Sequence, residues 1–323
     1  MQWRLRFNLL RIRLAQALAL FIFSSVLAHA APSGDAVKPK FRVVAIAEAG
    51  GIHKPFVDAA KIWLDKLAAE NNFTVDYIQD TNKIDDAFLA RYQLFIQLNY
   101  PPYNWTPTAE AAFVKYIEEG KGGWIGFHHA TLLGEFDGFP IWPWFSTFMG
   151  GIRFTNYIPT FANGTVTIED ASHPAMRGVA TPFVIADEEW YTWDKSPRPN
   201  VHVLASVNES TYTPDTKIKM GGDHPVIWTN ENVKARNIYI FMGHHPELFQ
   251  NPAFTSIFKN SIFWAAHQKS LRAWFGFDQR AHGRRDDQDH LCMGRGHLFQ
   301  VRKLLFAHLW GDRTHRLDGI ESG

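Results

Sequence analysis

The sequence predicts an α/β protein: an open, mainly parallel central sheet flanked by helices, with added short antiparallel strands. Two observations point to the parallel part. Short, continuous apolar runs alternate with segments of helical period, and two of those runs end in a histidine pair. A third points to the antiparallel part: from about Ile152 the texture changes to shorter strands separated by Thr, Pro, Gly and Asn turns.

Phe41–Ala47 reads as the first strand, an unbroken apolar run suited to burial on both faces. Between Pro55 and Glu70, Phe56, Ala59, Ala60, Trp63, Leu64 and Leu67 recur with helical period and predict an amphipathic helix. Phe73–Gln79 and Tyr92–Leu98 follow as strands, with a short helix near Ile84–Ala90 between them. Thr106 as N-cap, Pro107 at the first helical position and Gly120 just past Glu119 bracket the next helix, whose apolar face is Ala109, Ala112, Phe113, Tyr116 and Ile117. It feeds a strand over Gly122–Phe127. Gly164–Glu169, Phe183–Ala186 and Val201–Val207 are expected as edge or antiparallel strands, after which Pro225–Thr229 and Asn237–Met242 restore the earlier pattern. Asn251 caps a last helix that carries Phe254, Ile257, Phe258, Ser261, Ile262 and Ala265 on one face. There is no internal repeat.

The two ends differ from this region. Arg4, Arg6, Arg11 and Arg13 precede an apolar run from Leu14 to Leu27 that closes on Ala28-His29-Ala30, the layout of a signal peptide cut before Ala31. Residues 1–30 are therefore expected to be a leader, 31–40 a linker and 41–268 the folded domain, with a periplasmic or secreted location. The apolar run is shorter than the ~20 residues a bilayer requires, so no stable membrane span is expected once the leader is removed. Residues 269–323 hold eight Arg and five His but no Pro, Asn or Tyr, and read as an atypical, poorly ordered tail, either a metal- or anion-binding appendage or an extension outside the domain. Residues 31–268 carry 19 basic against 25 acidic side chains, which argues against nucleic acid as a partner. Cys292 is the only cysteine, so there is neither an internal disulfide nor a cysteine-based zinc knuckle, and stability must come from a packed core.

Reactive side chains gather at the predicted strand ends, where open α/β sheets bind ligands. The run Gly122-Gly123-Trp124-Ile125-Gly126-Phe127-His128-His129-Ala130 stops at two imidazoles, and Met242-Gly243-His244-His245-Pro246-Glu247 repeats the arrangement. Successive side chains of an extended chain point to opposite faces, so one of His128 and His129 is expected to face the site, and the turn after Phe127 favours His128. His128 and His244 can converge on one substrate or one metal, since neutral imidazole is a common zinc ligand, although no H-x-x-x-H or H-E-x-x-H motif occurs. Asp187-Glu188-Glu189-Trp190-Tyr191 offers a carboxylate beside aromatic surface as third ligand or general acid–base, or else forms an exposed acidic turn. Glu48-Ala49-Gly50-Gly51-Ile52-His53-Lys54 follows the first strand and opens a helix whose N-terminus favours anions, which adds His53. Trp105, Trp142, Trp144, Trp190 and Trp193 cluster in these loops, and their flat rings suit sugar faces and protein cores alike. His173-Pro174 and His224-Pro225 read as turns.

Taken in order, these segments resemble the trehalose-utilisation, or ThuA-like, family of the class I glutamine-amidotransferase-like superfamily. The resemblance runs from Phe41 to about Ala266 through Gly122–Ala130, His173-Pro174, Glu188-Glu189-Trp190-Tyr191, Asp223-His224-Pro225-Val226-Ile227-Trp228, Gly243-His244-His245-Pro246-Glu247 and the closing Phe263-Trp264-Ala265-Ala266. It implies a flavodoxin-like three-layer form of the α/β fold, with His128 at the elbow where amidotransferases carry a nucleophilic cysteine. Residues 31–268 contain no cysteine, so thiol-dependent glutamine hydrolysis is excluded.

By the same resemblance His128, Glu189 and His244 are the catalytic candidates and the candidate ligands of a divalent metal such as zinc. His53, Glu188, Trp190, Tyr191 and His245 are candidate substrate-binding residues. His129 stands where a small residue is common, and the doubled Glu188-Glu189 leaves the register of the acid open by one. The implied function is a carbohydrate-processing enzyme acting on a sugar or keto-sugar by His/Glu acid–base or metal-assisted chemistry. A non-catalytic sugar-binding protein and a cysteine-independent hydrolase are the alternatives. A small-molecule carbohydrate is the expected partner, no nucleotide cofactor is expected, and oligomerisation is left open.

Overall fold

A computed structural model describes residues 38–266; the leader, most of the linker and the tail lie outside the described residues. The first half alternates as its apolar pattern requires: β1 (Arg42–Ala47), α1 (Lys54–Asn71), β2 (Thr74–Ile78), α2 (Asp86–Leu89), β3 (Leu94–Leu98), α3 (Pro107–Glu118) and β4 (Gly123–Phe127). Every residue of β3 and β4 is buried, the condition of a parallel sheet covered on both faces. Thr106 Oγ1 accepts a hydrogen bond from the Ala109 amide and fixes the start of α3.

The second half contributes α4 (Pro143–Phe148), β5 (Phe154–Tyr157), β6 (Ala162–Ile168), β7 (Phe183–Glu188), β8 (Tyr191–Trp193), β9 (His202–Thr213), β10 (Pro225–Thr229), β11 (Asn237–Ile240) and α5 (Pro252–Ala266). Asn251 Oδ1 caps α5 by accepting from the amides of Ala253 and Phe254. Three elements differ from the sequence expectation: α4, β5 and β8 fall in aromatic and Thr-rich stretches that show neither helical nor strand period. Strand β9 also runs past Val207 to Thr213, because Glu209 turns inward there and its carboxylate binds the amides of Met220, Gly221 and Gly222.

One nine-stranded sheet has the order β2-β1-β3-β4-β11-β10-β9-β6-β7. Its first five strands are parallel, in the order of a flavodoxin-type doubly wound sheet, and the other four are antiparallel additions. β5 and β8 form a separate antiparallel ribbon. Alternation along β4 reveals three layers. Trp124 packs on Phe145 and Phe148 of α4, whereas Phe127 packs on Phe56 of α1 and on Phe254 and Phe258 of α5. Although β7 is the edge strand furthest from β2, its carboxyl end meets that of β11: the rings of Trp190 and Phe241 stack 5.4 Å apart. No described helix is long and apolar enough to cross a membrane.

His173 caps the short turn that follows it, Nδ1 accepting from the Ala175 amide, and its ring lies 4.5 Å from that of Trp264. Burial lowers its pKa from the usual 6.5 to about 4. The unfolded chain therefore takes up a proton below pH 6.5 while the folded one stays neutral, so this stability is present above pH 6.5 and is lost as pH falls towards about 4. The loss at this position is on the order of 3 kcal/mol. A His173→Asn protein, which keeps the cap acceptor, is expected to show a smaller fall in melting temperature between those pH values. Equal falls in thermal melts of both proteins would contradict this.

Candidate functional site

The site sits at the carboxyl ends of the parallel strands. His53 opens α1 beyond β1, Asn99 follows β3, His128 follows β4 and His244 lies four residues past β11, while Glu189 directly follows β7. At His128 the chain leaves the extended conformation with φ 38°, a left-handed value that a side chain rarely adopts without support. Support comes from the hydroxyls of Tyr239 and Thr131, which donate to the His128 carbonyl at 3.0 and 3.1 Å. Its ring is fixed as well: Nδ1 lies 3.2 Å from the Phe241 carbonyl, which can only accept, so Nδ1 carries the proton and Nε2 keeps its lone pair.

That lone pair faces Glu189 Oε2 at 3.3 Å. His244 Nδ1 lies 3.7 Å from the same oxygen and His53 Nε2 lies 3.9 Å away. All four residues are buried, and their ligand atoms lie within 4.8 Å of one another. His53 Nε2 and His244 Nδ1 have no hydrogen-bond partner. Burial holds all three imidazoles below their ordinary pKa, reinforced by neighbouring imidazoles, with His244 at about 4 despite the opposing pull of Glu189. They are therefore neutral near pH 7, the protonation state in which imidazole ligates metal. Unpartnered, buried nitrogens turned towards one carboxylate oxygen fit a divalent cation. Three imidazoles and a carboxylate are a donor set for zinc or a neighbouring transition metal.

Glu188 lies beneath this cluster. Its oxygens accept from the amides of Glu189 and Gly243 at 3.0 and 3.2 Å, and it is 1% exposed. Burial raises its pKa to about 8, against the opposing effect of these amides and that of His244. It joins the end of β7 to the loop after β11. Gly243 is required there, since a Cβ at this position would lie 2.7 Å from His128 Cβ and 2.9 Å from Asn99 Oδ1.

The family model for trehalose utilisation matches residues 42–265. The chain belongs to the ThuA family. A ThuA-like protein from Bacteroides uniformis ATCC 8492 is 30% identical, with a TM-score of 0.63 over 73% of this chain and 95% of that one. A ThuA-like protein from Parabacteroides merdae ATCC 43184 shares the fold at 16% identity, with a TM-score of 0.52 over 73% of this chain and 92% of that one. No curated protein matches. ThuA membership connects the chain to trehalose utilisation.

Within this ThuA fold the structure brings His128, Glu189 and His244 together, with His53 as a fourth member. Tyr191 packs 4.4 Å from the His128 ring. His245 lies at the rim, 3.7 Å from Asp187 and against Phe161. Glu188 and Trp190, read from sequence as substrate-binding, are enclosed: Glu188 is held by backbone amides, and Trp190 is stacked on Phe241 with its Nε1 donating to the Ala162 carbonyl. Trp105, Trp142 and Trp144 pack on Phe113 and Phe145 in the core beside α3 and α4 instead of around a sugar site.

His128 and His129 do not face opposite ways. The turn at φ 38° ends the strand's alternation, and both rings approach His53, with centroids 5.0 and 4.1 Å away. Sequence reasoning missed Asn99, whose Nδ2 donates to the Gly243 carbonyl at 2.5 Å and whose own carbonyl accepts from His129 Nδ1. The signal was available, because Asn99 is the first residue after an unbroken apolar strand.

Proposed function

We propose that this protein is a periplasmic or secreted carbohydrate-processing enzyme that acts on a sugar or keto-sugar at a divalent metal such as zinc. One observation carries the reading: Glu189 Oε2 has three imidazole nitrogens within 3.9 Å, two of them unpartnered. ThuA membership supports the sugar, and the Arg-rich, apolar leader supports the location. His53, His128, Glu189 and His244 hold the metal, which when bound polarises a keto or hemiacetal oxygen. The Phe241 carbonyl orients His128, and Glu188 holds the backbone amide of Glu189. His245, a quarter exposed beside Asp187, binds the sugar at the rim, where the half-buried ring of Phe161 offers a flat apolar wall.

The test is elemental analysis of the purified full chain, paired with turnover of disaccharides and keto-disaccharides by wild type and His128→Ala. Bound metal and product formation in wild type alone are expected. Sugar binding with no product would make it a binding protein. A wild-type chain that acquires no metal would remove the metal from the mechanism.

A further inference from the structure

We propose a second cation position on the other side of the His53 ring, formed by Glu48, His53 Nδ1 and His129, and resting on the reading of the first centre only through the shared imidazole. The ligand atoms of these three residues lie within 4.8 Å of one another. Glu48 is the residue after β1 and stands at the same sheet end as the first cluster. Its Oε2 is buried and receives no hydrogen bond, although His129 Nδ1 is 3.4 Å away and His53 Nδ1 3.8 Å. His129 Nδ1 donates at 3.1 Å to the Asn99 carbonyl, so its proton is not given to Glu48 and the lone pair that His129 offers a cation is on Nε2. A buried carboxylate oxygen with no donor is costly, and a cation between it and the two imidazoles removes that cost.

His53 thus presents opposite ring nitrogens to two clusters, Nε2 towards Glu189 and Nδ1 towards Glu48. With a cation on each side, His53 would bridge the two positions. The two positions differ in access. The side chains of Glu48 and His129 are 27% and 13% exposed, against 9% or less for the first cluster. A cation at the second position would therefore be the more readily exchanged of the two. One carboxylate and two imidazoles select zinc, manganese or cobalt over calcium.

The experiment is equilibrium dialysis of the full chain against Zn2+, with bound zinc counted by elemental analysis in wild type, Glu48→Gln, His129→Gln and His244→Ala. The five histidines of residues 269–323 contribute equally to all four proteins, so differences report the site. Glu48→Gln and His129→Gln are each expected to bind one equivalent fewer than wild type, and His129→Gln carries the test alone should Glu48→Gln not fold. Zinc content equal to wild type in both overturns the second position. In that case one equivalent fewer in His244→Ala leaves the first centre standing, whereas equal zinc in all four overturns both. A loss confined to the Glu48 and His129 variants supports the second position and overturns the first.

Discussion

On the proposed reading, a His128→Ala protein is expected to bind no metal at the first cluster and to lose sugar turnover by roughly 100- to 10,000-fold, the range a positioned reactive group supplies. The effect is concentrated here because the residue is fixed from three directions, its backbone carbonyl by the hydroxyls of Tyr239 and Thr131 and its imidazole Nδ1 by the Phe241 carbonyl. A Phe241 substitution cannot test the same point, since the contact is with backbone. A Tyr239→Phe protein can, because it removes one of the supports of the φ 38° turn and leaves the ligand in place. It is expected to lose roughly 10- to 100-fold in metal affinity, the usual cost of removing an outer support. Both values come from kcat/KM and metal titration of the two variants. Wild-type turnover in His128→Ala would move the chemistry away from β4.

Gly243→Ala is the second large effect expected. The added Cβ would stand 2.7 Å from His128 Cβ and 2.9 Å from Asn99 Oδ1, and both neighbours are fully buried at positive φ, so neither can yield cheaply. Overpacking of this kind costs about 1–3 kcal/mol. The shift would also pull the Gly243 amide from Glu188 and its carbonyl from Asn99, which moves His244 relative to Glu189. The expected result is a melting temperature several degrees lower, together with weaker metal binding. Gly50→Ala, where a Cβ meets nothing within 4 Å, should leave the melting temperature close to wild type. Equal melting temperatures for all three proteins would show that the loop after β11 adapts freely.

The parallel half of the fold was legible because burial on both faces demands unbroken apolar runs, and because Thr106 and Asn251 announce their helices chemically. The segments β5 and β8 were not, since a two-stranded ribbon needs no long period, and Asn156, Thr155 and Thr192 look like loop residues. In the site, His128 and His244 followed from asking what stands at a strand end, and Glu189 from the family resemblance. His129 was misjudged because alternation presumes extended backbone, and the left-handed turn one residue earlier has no marker such as glycine or asparagine. Glu188 and Glu189 could not be separated without β7: the last strand residue turns inward to the amides, and the next faces the imidazoles.

The ring stack of Trp190 on Phe241 has a consequence for how the protein assembles. In a flat sheet with strands about 4.8 Å apart, four steps from β11 to β7 would put the carboxylate on the order of 19 Å from the imidazoles. The observed separation of Glu189 from His244 is 3.7 Å, so the sheet must roll until its far edge returns. A folding chain that has built only the five parallel strands holds the histidines without their acid. On the proposed metal reading, a cation held by His244 and Glu189 would tie this rolled edge to the parallel strands, and stripping it is expected to loosen the β6–β9 side first, a change that hydrogen exchange can follow strand by strand.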